Sequence, residues 1–596
     1  MLDFRNLFFA IALSLLVLGV WGHYFPQKSE EKTEEIASTN NDINNNDINI
    51  INKTDKPSDD FHNSIILTEK SNKGEIINLD QSKRISIENN NIIASIKTTG
   101  LLFDDWMLKQ YHVDVSNESD YVNLLFPFGK YQINNHPSKL KEYSISFKWI
   151  GDIDNLPGDN SSWIVANDLY NKKNITISSD EPMMFNWHNE QGVLFQVKLK
   201  VDKNYMLEVE HTVFNNSNKD ITLAPGIVIN RIGDGTEHED GKSFLLHEGV
   251  ISFAGDRISE FSYEDLQKKE KIIDASNSKA WLGFVDKYWL TSIVMPNARS
   301  KLTANFNNKY NAFVYNLESY GDTATIKSKD SSSYISHVYI GPKDLDLLES
   351  YKEIFDIPLF DRAVDFGVLY FITKPLFIFL NFLKSIVGNF GIAIICLTVI
   401  VKLMVLPLAL KSLNSAYKMK KVQPELDLIK ARYSDDKIKQ NSEVLKLFKK
   451  NKVKPVAGCL PALLQIPIFF SLYKVLFITI EMRHAPFFGF LKDLSAKDPS
   501  NILTLFGLID WSPPFALGIL PILFGISMIL QQKLSTSNMA TKDPTQASFM
   551  KLMPYIFTFI LAYFPAGLLI YWISSNSISI LQQFAFNCYV KWKYKT

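Results

Sequence analysis

The sequence predicts a polytopic α-helical membrane protein with six transmembrane helices, five of them in one core, and a large all-β sandwich domain outside the membrane. Three observations predict it. The 63 basic and 63 acidic residues of the 596-residue chain are unevenly divided, with 35 against 50 in residues 22–360 and 27 against 12 in residues 361–596. Long apolar runs fill the basic part, whereas apolar and polar residues alternate in the acidic part. An acidic soluble domain joined to a basic membrane domain accounts for this asymmetry.

The first apolar run is Leu7–Trp21, which follows Arg5. No small-x-small cleavage site follows it, so we interpret residues 1–25 as an uncleaved signal-anchor transmembrane helix. A cleaved signal peptide is the alternative. Residues 26–60 are rich in Asn, Glu, Lys and Asp, a composition that is typical of a disordered linker.

Residues 61–345 are predicted to form the β-sandwich. One run alternates apolar with polar residues, its apolar members being Val193, Phe195, Val197, Leu199 and Val201. A period of two indicates a strand with one buried face. Similar short runs occur at Ile85–Ile96, Ile145–Trp149 and Tyr334–Ile340. All three Cys residues follow residue 360, so no disulfide framework holds this domain.

Residues 346–389 change to a helical pattern and are predicted to be a helical joint that includes an amphipathic surface helix. Apolar residues recur at helical spacing between Asp361 and Val387, with Lys374 and Lys384 among them. Pro375 lies inside the pattern, so we expect two short helical pieces. The interspersed charges favour a position along the outer membrane surface. Packing against the sandwich is the alternative.

Residues 390–590 are predicted to form a five-helix core. Its apolar runs are approximately Phe390–Leu410, Cys459–Ile480, Phe515–Leu530, Phe549–Tyr563 and Ala566–Tyr589. Between the first two, residues 411–454 carry 13 basic against five acidic residues, and the short tail 591–596 is also basic. Because basic loops stay in the cytoplasm, both termini are expected there. Residues 26–389 then lie outside, in the periplasm of a Gram-negative cell.

Residues 411–454 are further predicted to form a cytoplasmic helical hairpin. The expected facing stripes are Val422, Leu426, Ile429 and Tyr433 in the first arm, and Ile438, Leu445 and Phe448 in the second. Basic residues cover the outside of the hairpin. This surface is either a solvated loop that obeys the orientation rule or a docking surface for the ribosome or a nascent chain.

A lysine inside an apolar run is the most informative residue for function. Lys402 lies 12 residues after Phe390, about 18 Å along a helix, where a central ammonium costs about 2.5–3.5 kcal/mol. The apolar runs contain no Asp or Glu, so Lys402 should face a hydrated cavity or extend to the surface. Thr398 lies on the same helix face, and Gln465 lies midway along the next run.

The last apolar run adds a polar stripe at helical spacing, formed by Trp572, Asn576, Ser579 and Gln583. Hydrogen bonds between helices would explain any one of these residues. Together with Lys402, a shared hydrophilic groove is the better interpretation. Lys474 is half a turn away from Gln465 and near the outer end of its run, so we expect it to extend to the membrane surface and leave it outside the site.

Several chemistries are disfavoured. A net charge of zero gives no support for nucleic-acid recognition. Gly235 to Ser243 resembles a phosphate loop but has five residues between its glycines, three of them acidic, which would repel a phosphate. His238 among those acids is more typical of a solvated loop than of a metal site. These patterns therefore predict no cofactor, no metal and no catalytic residue.

A set of short motifs completes the pattern. They are Gly388-Asn389-Phe390-Gly391, Gln423-Pro424, Gly458-Cys459-Leu460-Pro461, Gln465-Ile466-Pro467-Ile468-Phe469, Arg483-His484-Ala485-Pro486-Phe487-Phe488, Asp493-Leu494-Ser495-Ala496-Lys497-Asp498-Pro499 and Phe564-Pro565-Ala566-Gly567-Leu568. With the order of segments, the whole chain resembles the YidC/Oxa-type membrane protein insertases in their Gram-negative form.

The resemblance implies a non-enzymatic insertase that inserts newly made inner-membrane proteins, alone or with the Sec translocon. It implies a positively charged hydrophilic groove that is open to the cytoplasm and the lipid, with Lys402, Thr398 and Gln465 at groove positions. Lys402 stands where the family often has Arg, so the charge is kept but the bidentate fork is lost. Trp572 stands where relatives have Tyr. The implied partners are nascent membrane proteins, the lipid bilayer, the Sec translocon and the ribosome, the last through 411–454 and the basic tail.

Two other classes of protein remain open from the residues themselves. A transporter or channel would use the unpaired cation as an intramembrane anion site, although no inverted repeat supports it. An anchored carbohydrate-binding or mutarotase-like enzyme would need a His and a Glu that converge in the sandwich, which the sequence alone does not show.

Overall fold

A computed structural model describes residues 84–116, 118–131, 139–166, 182–233, 246–275, 279–451, 460–502, 517–536 and 544–594. The predicted signal anchor and linker, residues 1–60, lie outside these ranges, as does the whole segment that resembles a phosphate loop, including His238.

Two antiparallel sheets form the sandwich domain. The first contains β1 Arg84–Glu88, β2 Ile92–Lys97, β3 Leu102–His112, β4 Tyr121–Tyr131, β5 Lys139–Gly151, β10 Ile221–Ile232, β13 Lys271–Asp274, β16 Arg299–Asn307, β17 Ala312–Tyr320 and β18 Ala324–Ile326. The second contains β6 Ile164–Val165, β7 Met183–His188, β8 Val193–Val201, β9 Met206–Asn215, β11 Gly249–Ala254, β12 Arg257–Ser262, β14 Lys279–Val285, β15 Trp289–Pro296 and β19 Ser331–Pro342. A short helix, α1 Tyr263–Lys268, follows β12.

Aromatic side chains fill the space between the sheets. Trp149 of β5 packs edge-to-face on Phe195 of β8, and Tyr143 of β5 packs in the same way on Phe284 of β14. The alternation predicted for β8 is confirmed, because Val193, Phe195, Val197, Leu199 and Val201 are all buried. The sandwich prediction is therefore confirmed.

One buried ion pair joins the two sheets. Arg231 of β10 donates two hydrogen bonds, of 3.0 and 2.9 Å, to the carboxylate of Asp286, which directly follows β14. The guanidinium also lies over the ring of Tyr143, 4.7 Å from its centroid. Both charged side chains are almost inaccessible, so each depends on the other for its solvation.

The rest of the described chain is helical. The helices are α2 Leu345–Ile354, α3 Tyr370–Val387, α4 Phe390–Arg432, α5 Lys437–Lys450, α6 Leu460–Ile478, α7 Ile519–Thr536, α8 Pro544–Leu561 and α9 Ala566–Tyr594. Within the described ranges, α3 and α4 are long and apolar enough to cross a membrane, and shorter apolar helices cover Leu464–Ile478, Ile519–Leu534 and Lys551–Leu561. The fold is thus a β-sandwich followed by a helical membrane region, and the count of six spans stays a prediction.

The joint differs from the sequence prediction. α3 runs unbroken through Pro375, so the expected division into two pieces is wrong. Pro375 is the sixth residue of the helix, where its ring removes only one backbone hydrogen bond near the first turn. α3 ends at Gly388, whose φ of +73° favours glycine, and Asn389 caps α4 by accepting a hydrogen bond from the Ile392 amide. The Gly-Asn pair thus turns the chain directly from α3 into α4.

The hairpin also differs in detail. α4 continues without interruption from the apolar run to Arg432, and α5 packs against it through Leu447, with Val422 and Leu426 on α4. The predicted facing residues Ile438 and Leu445 are wrong, since they are 86% and 60% exposed. The contacting face of α5 is instead the one that carries Val444, Leu447 and Phe448.

We predict that Asp286→Asn lowers the free energy of unfolding by about 3–5 kcal/mol, because it removes the carboxylate that accepts two hydrogen bonds from the buried Arg231 guanidinium. Urea unfolding of the full chain in detergent, followed by near-ultraviolet circular dichroism, measures this. Glu270→Gln is the control, since it breaks an exposed pair with Lys301 that contributes less than about 1 kcal/mol. Equal losses in the two variants would contradict the role of the buried pair.

Candidate functional site

The structure brings two of the predicted site residues into direct contact. The Lys402 ammonium on α4 donates a hydrogen bond of 3.0 Å to the Ser579 hydroxyl on α9. That hydroxyl donates in turn to the Ser575 carbonyl, at 2.9 Å. The lysine is therefore tied to the neighbouring helix through a neutral oxygen. The described residues place no carboxylate within ion-pair distance of the Lys402 ammonium. The main difference between its surroundings and water is burial among the helices.

Gln465 is held by a residue that the sequence interpretation missed. Its side-chain amide on α6 donates to the hydroxyl of Tyr571 on α9. Tyr571 directly precedes Trp572 and is 1% exposed. A second helical stripe, Tyr571, Ser575 and Ser579 at spacings of four, was present in the sequence and would have identified it.

Thr398 and Trp572 make their contacts with their own helix and with aromatic neighbours, respectively. Thr398 is fully buried, and its hydroxyl donates to the Ile394 carbonyl of its own helix at 2.7 Å. Trp572 is stacked between Phe469 of α6 and Phe524 of α7. The centroid of its ring lies 4.7 Å from that of Phe469 and 5.0 Å from that of Phe524. The indole therefore joins three helices through aromatic contact.

The remaining polar residues of the stripe bind α7. Asn576 donates to the Ser527 hydroxyl at 2.9 Å, and Gln583 donates to the Leu534 carbonyl at 2.8 Å. These are helix-to-helix hydrogen bonds of the kind that polar residues make in membranes. Among the described residues, four of these polar contacts connect α9 to α4, α6 and α7.

Lys474 does not extend to the surface of the protein as the sequence suggested. Its ammonium lies 2.6 Å from the carboxylate of Asp365, and both side chains are largely buried. Asp365 belongs to the connector, residues 355–369, which links α2 to α3. The expectation is corrected because a counter-charge from a distant segment reaches α6, which no local pattern reveals.

The site offers positive charge and hydrogen bonds rather than chemical catalysis. Lys402 is its cation, and hydroxyl and amide groups surround it on neighbouring helices. Within the described part of the chain, no group of three or more His, Cys, Asp or Glu side chains could hold a metal ion. Such an arrangement can attract a polar or acidic segment but has no nucleophile paired with a base.

Comparison with known proteins covers nearly the whole chain. The family model described as "60Kd inner membrane protein" matches residues 382–593, and the model described as "YidC periplasmic domain" matches residues 84–379. The protein named "Membrane protein insertase YidC" of Rickettsia felis is 41% identical over 587 residues, which are 98% of this chain and 98% of that protein. Its namesake in Rickettsia prowazekii is 40% identical over 591 residues, again 98% of both chains.

Solved structures show more distant similarity. The crystal structure titled "Active YidC insertase crystal structure with the first transmembrane domain resolved" is 17% identical with a TM-score of 0.34, covering 84% of this chain and 92% of that one. A galactose mutarotase related enzyme from Lactobacillus acidophilus is 13% identical with a TM-score of 0.28, covering 44% of this chain and 97% of that one.

We predict that Tyr571→Phe lowers the free energy of unfolding by about 0.6–1.7 kcal/mol, because the Gln465 amide loses its acceptor inside the helical core. Unfolding of the full chain in mixed micelles by increasing amounts of SDS measures this. Tyr555→Phe is the matched control, since Tyr555 on α8 is 55% exposed. A Tyr571→Phe protein as stable as this control would remove the interhelical bond from the account.

Proposed function

The chain belongs to the YidC family of membrane protein insertases, and from that premise we propose how its described residues carry out insertion. The protein inserts membrane proteins and is not an enzyme. It is an inner-membrane protein with its β-sandwich domain in the periplasm. We propose that a hydrophilic groove, open to the cytoplasm and the lipid, receives the substrate beside Lys402, Thr398, Gln465, Trp572, Asn576 and Ser579.

The contact between Lys402 and Ser579 is the observation that carries this proposal. A neutral hydroxyl satisfies one donor of the ammonium but leaves its charge uncompensated. In an apolar helical core such a charge is costly. A carboxylate of an incoming chain would compensate it, so the polar or acidic part of a substrate is drawn to this depth of the core.

The outer surfaces of the same helices suit the apolar part of a substrate. Exposed apolar side chains flank the groove residues on each helix: Leu403 and Met404 on α4, Ile466 and Phe470 on α6, and Leu581 and Phe584 on α9. A substrate helix that leaves the groove would pass over these side chains into lipid. Its transfer into the bilayer is downhill, which is why the proposed mechanism uses no nucleotide.

The topology belongs to the proposal as well. We propose six spans, both termini in the cytoplasm, and α3 lying along the outer surface. α3 supports this position with two apolar faces. Thr373, Phe377, Leu380 and Leu383 are buried against the protein, while Phe371, Ile378, Phe382 and Ile386 are more than half exposed, as a lipid-facing side would be.

We propose that newly made membrane proteins are the substrates, that insertion proceeds alone or beside the Sec translocon, and that the hairpin of α4 and α5 meets the ribosome with the basic tail. Exposed lysines on α5, among them Lys439 and Lys446, give this hairpin a positive surface.

Replacing Lys437, Lys439, Lys449 and Lys450 by Gln should weaken cosedimentation with ribosomes, most clearly at low salt. Unchanged, salt-independent binding would place the ribosome contact elsewhere.

We predict that Lys402→Glu abolishes most insertion whereas Lys402→Arg retains it, because only the first reverses the charge that attracts an acidic segment. The assay uses the purified full chain in liposomes, a one- or two-span substrate made without Sec components, and protease protection as the readout.

Lys551→Glu on α8 is the matched control for this series, since it reverses a charge at an exposed position of the same helical core. Insertion that survives in Lys402→Glu would remove Lys402 from the mechanism. An anion flux in substrate-free liposomes that depends on Lys402 would favour the transporter or channel alternative.

A further inference from the structure

The outer end of α6 is held by the sandwich domain and the connector. Lys287, next to β15, places its ammonium 3.9 Å from the ring centroid of Phe477 on α6. Just beyond α6, the Arg483 guanidinium donates to the carbonyls of His112 and Val113 at the end of β3. The Lys474–Asp365 ion pair is a third contact, and both of its side chains are largely buried.

Asp365 collects hydrogen bonds from three parts of the chain. Its carboxylate accepts from the Lys474 ammonium of α6 at 2.6 Å, from the His247 amide before β11 at 3.3 Å, and from the Gly367 amide within the connector at 3.0 Å. Burial opposes its ionisation, but Lys474, Lys343 and the His247 amide outweigh that effect and hold the pKa of Asp365 below its usual value. This single carboxylate therefore joins the sandwich, the connector and a helix of the core.

A second buried lysine faces the same carboxylate. Lys343 follows the end of β19, is 1% exposed, and its ammonium has no hydrogen-bond partner among the described residues. Burial lowers its pKa to about 8, while Asp365, Asp286 and Glu248 oppose that effect. Two buried cations thus attract the Asp365 carboxylate, Lys474 of α6 by a direct ion pair and Lys343 of the sandwich from a greater distance.

Gly367 shows that the chain is fitted to this arrangement. Its φ is +69°, and a Cβ at this position would approach Cε of Lys474 to 3.2 Å. The positive φ favours glycine at the point where the lysine passes over the connector. The contact is a close fit between two segments rather than a chance approach of two flexible side chains.

From these contacts we propose that Asp365 is a positioning residue for insertion. Through Lys474 it fixes the outer end of α6, the helix that carries Gln465 about 14 Å nearer the cytoplasm and Phe469 between them. Gln465 and Phe469 make the contacts of α6 with Tyr571 and Trp572 on α9. The sandwich and connector thereby set how α6 lies against α9, and so the width of the groove. This inference rests on the proposed groove.

The pattern of variants that follows is specific. Asp365→Asn removes the carboxylate that forms the ion pair with Lys474 and that also attracts Lys343, so it is expected to be the most damaging single change. Lys474→Met leaves Asp365 with the attraction of Lys343 and with its hydrogen bonds from the His247 and Gly367 amides, so its effect is smaller. The double variant Asp365→Asn/Lys474→Met also removes the ammonium that has lost its ion-pair partner and should be less impaired than Asp365→Asn alone. Lys474→Arg, which keeps the charge, should behave nearly as the parent chain does.

Two readouts on the full chain test this. Hydrogen exchange in nanodiscs reports the amides of His247 and Gly367 and the outer turn of α6, and the liposome assay reports insertion. We expect exchange to rise and insertion to fall about tenfold in Asp365→Asn, with recovery in the double variant. Lys198→Met is the control, because it breaks a half-exposed ion pair with Glu210 in the sandwich and should change neither readout.

Each outcome decides the matter. Additive losses in the double variant, or normal insertion by a protein with fast exchange at His247, would overturn the positioning role while leaving the groove in place. Failure of the groove itself appears separately, as full activity in Lys402→Glu. If Asp365→Asn does not accumulate, a comparison of insertion by Lys474→Met and by Lys474→Arg still tests the proposal. Equal insertion by these two variants would contradict it.

Discussion

The hydrogen bond from Lys402 to Ser579 is the interaction on which the proposed function of the helical core depends. A polar group in an apolar core needs a hydrogen-bond partner, because neither apolar side chains nor lipid tails can supply one. α9 supplies such partners at successive levels: Tyr571 for Gln465, Asn576 for Ser527, Ser579 for Lys402 and Gln583 for the Leu534 carbonyl. The depth of each polar residue on the other helices is therefore matched to a residue on α9.

Features that depend on local periodicity could be predicted from the sequence. The strands of the sandwich followed from an alternation that only a half-buried sheet requires, and β8 shows it residue by residue. The turn between α3 and α4 follows from Gly388 and Asn389, whose roles as a left-handed terminus and a cap are local chemistry. The contact of Lys402 with the polar stripe of α9 is consistent with a charge that has no partner on its own helix.

Features that depend on distant segments could not be predicted. Lys474 resembles a lysine that reaches for the surface, and only the folded chain brings Asp365 to it from 109 residues away. The facing side of α5 was misassigned because the stripe of Ile438 and Leu445 is as regular as that of Val444 and Leu447, and packing against α4 selects between them. Pro375 suggested a break in the helix. Near the first turn of a helix, however, a proline removes few backbone hydrogen bonds.

Lys402 and Asp365 differ in whether a neighbouring group of opposite charge compensates them. Asp365 accepts three hydrogen bonds, one of them from an ammonium at 2.6 Å, so its charge is compensated. Lys402 has a hydroxyl, which offers a lone pair but no negative charge. Bonds to a charged partner are about twice as strong as neutral ones, so a carboxylate can displace Ser579 from the ammonium. Because an ammonium is a compact point charge without the planar fork of a guanidinium, that exchange sets no strict geometry on the carboxylate. In the proposed mechanism, the chain thus holds α6 in place through the compensated charge of Asp365 and receives substrates of varied sequence through the uncompensated charge of Lys402.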